Sequence, residues 1–118
     1  MKLVHASDLH FGKPHLPVVA AALLRFIDEA EPDAVVVSGD LTQRAKVAEF
    51  EAASAYLDQI SPIPLVTTLG NHDVPVYRVF ERLLSPYRNY RTHISPDLDT
   101  VTDVEGTRIV ALSTAAPY

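Results

Sequence analysis

The stretch Ala34-Val35-Val36-Val37-Ser38-Gly39-Asp40 decides the fold of this chain. An apolar run rich in β-branched residues follows Pro32 and stops at a small residue, a glycine and a carboxylate. A run of this length and composition is typical of a strand covered on both faces, and less typical of a helix. The stretch therefore predicts a buried strand that carries Asp40 to its carboxyl end, where open α/β sheets bind their ligands.

Two other predicted strands end in the same way. The first predicted strand begins at Lys2, and its residues Leu3 to Ser7 lead into Asp8-Leu9-His10. The other comprises Leu65 to Leu69 and leads into Gly70-Asn71-His72-Asp73. Ligand-binding residues of open parallel sheets gather at the carboxyl ends of the strands. We therefore expect these polar corners to converge on one site.

The three corners carry the donors that a pair of divalent cations requires. Such a site needs hard anionic oxygens, neutral imidazoles and one carboxylate that reaches both ions. Asp8 and His10 stand two residues apart, so extended geometry would point both side chains to one face. Asp40 is the natural bridge between that pair and the amide oxygen of Asn71. For the Asp8 and His10 corner taken alone, a solvated turn is an equally good interpretation.

Helical spacing of apolar residues predicts three helices between and after these strands. The first runs from Pro17 to Glu29, the second passes through Val47 to Ile60, and the third begins at Pro75 and ends at Ser85-Pro86. The positions expected to face the core are, in turn, Val19, Leu23, Phe26, Ile27 and Ala30; Val47, Phe50, Ala53, Leu57 and Ile60; and Val76, Val79, Phe80, Leu83 and Leu84.

The last third of the chain has a different pattern. Tyr87 to Ser95 is aromatic, basic and predicted to be irregular, and Thr100 to Val104 and Thr107 to Leu112 predict a hairpin that turns at Glu105-Gly106. The predicted order is thus βαβαβα followed by a β-hairpin. With no internal repeat and no linker, residues 1–118 are expected to form a single α/β domain.

Composition limits the classes of protein to consider. The 118 residues are 47% hydrophobic and 21% charged, as in globular domains, and the absence of cysteine excludes disulfides and thiolate metal sites. The longest apolar stretch, Leu16 to Leu24, is too short to span a bilayer, so we expect no membrane partner and a cytoplasmic location. A net charge of -5 argues against a strong nucleic-acid patch.

The three corners, taken together and in order, carry a family resemblance. Ser7-Asp8-Leu9-His10-Phe11-Gly12, Ser38-Gly39-Asp40-Leu41-Thr42 and Asn71-His72-Asp73-Val74-Pro75 resemble the calcineurin-like metallophosphoesterases, in particular the bacterial branch described as cyclic nucleotide phosphodiesterases. A small departure is Leu69, where that family commonly has proline. The resemblance implies a metallophosphoesterase-type α/β sandwich, of which this chain would be the N-terminal half.

The resemblance also implies roles for individual residues. Asp8, His10 and Asp40 would hold one metal ion, and Asp40 and Asn71 would hold the other. His72 would meet the substrate phosphate, and Asp73 would orient His72. The ions would be manganese, iron or zinc, and a hydroxide held by them would hydrolyse a small phosphodiester or nucleotide. Arg44 is a further candidate for contact with the phosphate, with an ordinary charged helix surface as the even alternative.

The main departure from the family is an absence. Family members continue into a second half with further histidine ligands, including a Gly-His-Xaa-His corner. This sequence contains no such corner. His5, His15 and His93 are better explained as strand or surface residues than as replacements. The domain is therefore expected to be truncated and its second metal site to be weak.

Two other classes of protein stay open. The chain could be a non-catalytic fragment that acts as a binding module and self-associates through the C-terminal hairpin, whose edge and apolar residues would be unpaired. A doubly wound nucleotide-binding domain is a more distant alternative, because no Gly-Xaa-Gly-Xaa-Xaa-Gly loop follows the first strand.

Overall fold

The structure is a computed structural model that describes residues 1–12, 17–75 and 78–114, without the side chains at positions 79, 80 and 82. Its elements, in chain order, are β1 (Leu3–Ala6), α1 (Pro17–Ala30), β2 (Ala34–Ser38), α2 (Val47–Asp58), β3 (Leu65–Thr68), a 3-10 turn (Asn71–Asp73), α3 (Val79–Leu84), α4 (Arg88–His93), β4 (Thr100–Val104) and β5 (Thr107–Ala111).

The first three strands form a parallel sheet in the order β1-β2-β3. The register places Val4 of β1 beside Val35 of β2, and Val35 beside Leu65 of β3. Val35 and Val37 are completely buried in the central strand, as the apolar run predicted. The parallel sheet, its helices and the C-terminal hairpin confirm the predicted α/β class.

The core lies where α2 and α1 pack against the sheet. One buried cluster joins Val35 and Val37 of β2 to residues of both helices, namely Ile27 of α1 and Phe50, Ala53 and Leu57 of α2. Phe50 is fully buried, and removing a buried phenylalanine side chain typically costs about 3–5 kcal/mol of stability. This packing fixes β2, and with it the chain that leads to Asp40.

The predicted inward faces of the helices are wrong at several positions. Val19 and Phe26 of α1 are exposed, as are Leu83 and Leu84 of α3 and Val47 of α2. In α1 the apolar residues extend almost around the helix, so their spacing does not single out the face around Ile27 that meets the core. Val76 lies outside the described residues, as do the side chains of the other two α3 positions.

The segment from Tyr87 to Ser95 is not irregular, because it contains the helix α4. Tyr90 of α4 is fully buried, lies edge-to-face on Phe50 and has its hydroxyl 3.0 Å from Thr67 Oγ1 of β3. A helix of six residues has little stability of its own, so tertiary burial of Tyr90 holds it in place. Sequence periodicity over so short a segment gives no helical signal.

The C-terminal hairpin forms as predicted, with Val101 beside Val110 and a turn in which Glu105 and Gly106 have φ values of 50° and 75°. Its second strand ends at Ala111, one residue before the predicted end, and lies next to β3. Val101, Val110 and Leu112 are exposed. Among the described residues, none of the helices has the length and apolar character needed to cross a membrane.

Candidate metal centre

Backbone hydrogen bonds continue beyond the ends of β1 and β2. The amide of His10 donates to the Asp40 carbonyl at 2.9 Å, and the amide of Phe11 donates to the Leu41 carbonyl at 2.8 Å. The amide of Asp8 donates to the Gly39 carbonyl at 3.2 Å. The two corners therefore run side by side, and this pairing brings Asp8, His10 and Asp40 to one edge of the sheet.

Three of the predicted ligands have left-handed backbone conformations. The φ values are 61° at Asp8, 51° at His10 and 52° at Asp40. For non-glycine residues this region costs about 1–3 kcal/mol each, and such residues cluster at functional sites. The hydrogen-bonded pairing of the corners holds these conformations, which turn the three side chains toward one another.

The side chains of these corners form a cluster suited to a cation. His10 Nε2 lies 3.3 Å from Asp8 Oδ1 and 4.0 Å from Asp40 Oδ2. Potential ligand atoms of His10, Asp40 and His72 all lie within 4.8 Å of one another. His10 Nδ1 is buried and has no hydrogen-bond partner among the described residues. Carboxylate oxygens and imidazole nitrogens at this separation fit the mixed donor set of a transition-metal site.

Asp8 is exposed and is held as an anion. The hydrogen bond from the Ser7 hydroxyl, at 2.8 Å, lowers the pKa of the Asp8 carboxyl below its ordinary value. Burial of the carboxyl opposes this lowering less strongly than the Ser7 hydrogen bond produces it, and contacts with Asp40 and His10 lower the pKa further. The carboxylate is therefore deprotonated, as a metal ligand must be.

Two glycines allow the corners after β2 and β3 to approach each other. A Cβ at Gly39 would lie 3.3 Å from the Cα of Gly70, and a Cβ at Gly70 would collide with the backbone nitrogen and Oδ1 of Asp40. This close approach lets the amide of His72 donate to Asp40 Oδ1 at 2.9 Å. One Asp40 oxygen is thus tied to the third corner, while the other faces His10.

Asp73 has a different environment from the one that the resemblance implied. Its buried carboxylate accepts hydrogen bonds from the amides of Leu41, Thr42 and Gly70 at 3.1, 2.8 and 2.9 Å, and from the Thr42 hydroxyl at 2.9 Å. Burial raises the pKa of the Asp73 carboxyl, although these hydrogen bonds oppose the rise. Asp73 therefore links the corner after β2 to the corner after β3 through backbone amides. A different group orients the imidazole of His72.

The group that orients His72 is a backbone carbonyl. His72 Nδ1 lies 2.8 Å from the Gln43 carbonyl oxygen, which can only accept, so Nδ1 carries a proton. In the neutral ring this leaves the lone pair on Nε2. The His72 ring lies perpendicular to the His10 ring, with centroids 4.8 Å apart. His72 is exposed, so its free nitrogen is available to a ligand at the cluster.

The remaining predicted residues lie near this cluster. Asn71 lines a recess of about 310 Å³ together with Asp40, Thr68 and Thr114. Arg44 is exposed one residue after Gln43, and its backbone amide donates to Glu49 at 2.8 Å. The structure thus brings Asp8, His10, Asp40 and His72 together, with Asn71 beside them on the recess.

The two other histidines that the structure describes, His5 and His93, do not join the cluster. His5 is exposed on β1 and hydrogen-bonds the Ser38 hydroxyl, and His93 stacks on Phe50. His15 lies outside the described residues. Sequence reasoning missed Thr42 and Gln43, which support Asp73 and His72; a polar residue directly after Asp40-Leu41 was the available signal for Thr42.

Several known proteins are similar in sequence to this chain. The family model of the calcineurin-like phosphoesterases matches residues 1–113. The chain is 32% identical over 78 residues to a UDP-2,3-diacylglucosamine pyrophosphatase, LpxG, of Chlamydia trachomatis, covering 65% of this chain and 24% of that protein. It is 28% identical over 127 aligned positions to a probable cyclic nucleotide phosphodiesterase of Rhodococcus erythropolis, covering 98% of this chain and 40% of that protein.

The chain therefore belongs to the calcineurin-like phosphoesterase family, which confirms the resemblance drawn from the three corners. A probable cyclic nucleotide phosphodiesterase of a Synechococcus strain is also similar, at 28% identity over 103 residues, covering 83% of this chain and 34% of that protein. The chain thus spans between about a quarter and two fifths of the length of these relatives.

Proposed function

We propose that this chain is a metal-dependent hydrolase of phosphate esters that acts on a phosphodiester or nucleotide. The observation that carries the proposal is the cluster of His10, Asp40 and His72, whose ligand atoms lie within 4.8 Å, with Asp8 3.3 Å from His10. Family membership and the names of the relatives, a pyrophosphatase and probable cyclic nucleotide phosphodiesterases, support a phosphoric ester hydrolase.

The cofactor that we propose is a pair of divalent cations. Asp8, His10 and Asp40 would hold one ion, and Asp40 and the Asn71 amide oxygen would hold the other. Manganese, iron and zinc all suit oxygen and imidazole donors. When bound, such ions supply the Lewis acidity that activates water and neutralises phosphate charge.

The residues of the chain have separate tasks in this proposal. The Gln43 carbonyl accepts the Nδ1 proton of His72, which leaves Nε2 to contact a phosphate oxygen or to exchange a proton with the leaving group. Asp73 keeps the corners after β2 and β3 in register by binding their backbone amides. Arg44, exposed beside Gln43, would contact the phosphate in this proposal.

Hydrolysis of an aryl phosphodiester tests this proposal directly. We expect bis(p-nitrophenyl) phosphate to be hydrolysed with added Mn²⁺, and we expect the rate to fall to background with a chelator and to return with excess metal. Asp40→Asn should abolish the metal-dependent rate. Hydrolysis that is indifferent to the chelator, or an Asp40→Asn variant of full activity, would contradict the proposal.

A second candidate is a non-catalytic member of the family that binds metal and self-associates. The exposed apolar residues Val101, Val110 and Leu112 of the hairpin favour this alternative. It predicts metal binding without turnover of any phosphodiester.

The cytoplasmic location stays a prediction, which fractionation of cells that express the tagged chain would test.

A further inference from the structure

We propose that Arg78 is a positioning residue for His72, acting through the loop of residues 42–46. Arg78 precedes α3 and binds backbone carbonyls of this loop, and the same loop supplies the carbonyl that orients the His72 ring. The effect of Arg78 on turnover rests on the proposed function, whereas its effect on the His72 ring does not.

The link between the loop and His72 is direct. The Gln43 carbonyl oxygen lies 2.8 Å from His72 Nδ1 and selects the neutral tautomer with its proton on that nitrogen. His72 is exposed, and the contacts described for its ring are this carbonyl and the edge-on His10 ring, whose centroid lies 4.8 Å from that of His72. The position of the Gln43 carbonyl therefore controls which nitrogen of His72 faces Asp40 and His10.

The loop needs support from outside because its backbone is strained. Ala45 has φ = 56°, a conformation that costs a non-glycine residue about 1–2 kcal/mol. Its amide donates to the Thr42 hydroxyl at 3.1 Å, and the neighbouring amide of Arg44 donates to Glu49 at 2.8 Å. These contacts satisfy the amides of the loop and leave its carbonyls to be bound by other groups.

Arg78 binds those carbonyls. Its Nη2 donates to the Ala45 carbonyl at 2.7 Å and its Nη1 to the Arg44 carbonyl at 3.4 Å, while Nε donates to Glu81 Oε2 at 2.6 Å. Asn89 of α4 donates to the same Ala45 carbonyl and to Glu81 Oε1, both at 3.1 Å. The guanidinium thus reaches two carbonyls and a carboxylate at once, which the single ammonium of lysine cannot reproduce.

These contacts connect two helices to the reactive edge of the sheet. Arg78 adjoins α3, and Asn89 lies in α4, next to Tyr90, which is anchored on β3. The chain of contacts runs from Arg78 to Ala45, along two residues of the loop to Gln43, and then to His72. Groups that orient a metal ligand directly typically change affinity or activity about 10–100-fold when they are mutated, and Arg78 acts one relay further out, so its effect belongs at the lower end of this range.

The test uses Arg78→Ala and Arg78→Lys in the full chain, with Arg108→Ala as a matched control. Arg108 also pairs its guanidinium with a carboxylate, that of Asp103, but it lies on the hairpin. Long-range ¹H–¹⁵N spectra of the histidine rings, recorded without metal where the imidazoles are neutral, report the His72 tautomer. Turnover of bis(p-nitrophenyl) phosphate at saturating Mn²⁺ gives kcat and KM for each variant.

We expect the proton of the neutral His72 ring to lie on Nδ1 in the parent chain and in Arg108→Ala, and to divide between both nitrogens in Arg78→Ala. We expect kcat to fall about 10-fold in Arg78→Ala with KM nearly unchanged, and Arg78→Lys to recover part of this loss. An unchanged tautomer in Arg78→Ala would overturn the proposal, and if that variant does not fold, the same result in Arg78→Lys would overturn it. If the parent chain hydrolyses no ester, the proposed function fails, and the tautomer alone still decides the role of Arg78.

Discussion

At the scale of single residues, the candidate site depends on backbone conformations that side-chain packing alone would not produce. Asp8, His10 and Asp40 are all left-handed, and Gly39 and Gly70 pack against each other between two of the corners. The candidate ligands could be named from the sequence, because polar residues at strand ends are visible there. The long-range partners of Asp73 could not, because the Leu41 and Thr42 amides belong to a corner more than thirty residues away.

Replacing Gly70 with alanine should damage the site directly. The new Cβ would collide with the backbone nitrogen and Oδ1 of Asp40, so the corners must separate. We expect a loss of about 1–3 kcal/mol in the free energy of unfolding and a weaker Mn²⁺ affinity. Urea unfolding and calorimetric titration measure the two effects.

Gly106→Ala is the matched control for this substitution. Gly106 has φ = 75° in the hairpin turn, and a Cβ there would meet no atom within 4 Å. Backbone strain should lower the stability of Gly106→Ala while its Mn²⁺ affinity stays at the parent value. Parent-like Mn²⁺ affinity in Gly70→Ala would show that the approach of the two corners does not matter for metal binding.

His72→Ala should separate activity from stability. Its side chain is exposed and makes one hydrogen bond to the Gln43 carbonyl, so the melting temperature should change little. Hydrolysis should fall about 100-fold or more, as is typical when a proton-transferring histidine is lost. His5→Ala, which removes another exposed imidazole, should keep full activity. Undiminished hydrolysis by His72→Ala would exclude a catalytic role.

At the scale of secondary-structure elements, the sheet was predictable and the short helices were not. The apolar run of β2 has one good interpretation, whereas α1 is apolar almost all round and α4 is only six residues long. What holds α4 is a set of tertiary contacts, in which Tyr90 meets Phe50 of α2 and Thr67 of β3 and Asn89 donates to the Ala45 carbonyl. Contacts between residues so distant in the sequence leave no local pattern.

Tyr90→Phe should test how α4 is attached to the sheet. The substitution leaves the Thr67 hydroxyl without its described partner, at an expected cost of about 1 kcal/mol in the free energy of unfolding at neutral pH. Urea unfolding monitored by far-UV circular dichroism measures this loss. A stability equal to that of the parent chain would indicate that the hydroxyl pair contributes nothing and that packing alone fixes α4.

The same tyrosine should make stability depend on alkaline pH. Burial raises the pKa of the Tyr90 hydroxyl above its ordinary value, so the native state keeps this proton to a higher pH than the unfolded state does. Stability should therefore decrease as the pH rises past about 10, and the decrease should be smaller in Tyr90→Phe. Burial also raises the pKa of Tyr56, which is present in both proteins. Tyr56 therefore contributes to the decrease of stability with pH that remains in Tyr90→Phe. Equal slopes for the two proteins would contradict this account.

At the scale of the whole molecule, the hairpin presents apolar side chains and strand edges. Val101 and Val110 are paired across the hairpin and are both exposed. Exposed strands with apolar residues tend to pair with other chains. We therefore expect the chain to self-associate, with an average mass in light scattering that rises with concentration.

Threonine substitutions at both valines should reduce this association, because threonine keeps the β-branched shape and removes apolar surface. Val18→Thr, at an exposed position of α1, is the control and should associate like the parent chain. A parent chain that stays monomeric at the highest concentration reached would contradict self-association through the hairpin. The outcome bears on the second candidate function, since a binding module depends on this surface.

The central claim is that the three corners hold divalent cations, with Asp40 shared between them. Native mass spectrometry of the chain, titrated with Mn²⁺, counts the bound ions for the parent and for Asp40→Asn. We predict that the parent binds one ion at low Mn²⁺ and a second, weaker one only in excess, and that Asp40→Asn binds neither tightly. A parent chain that binds no ion, or an Asp40→Asn variant that binds both ions like the parent, would contradict the claim.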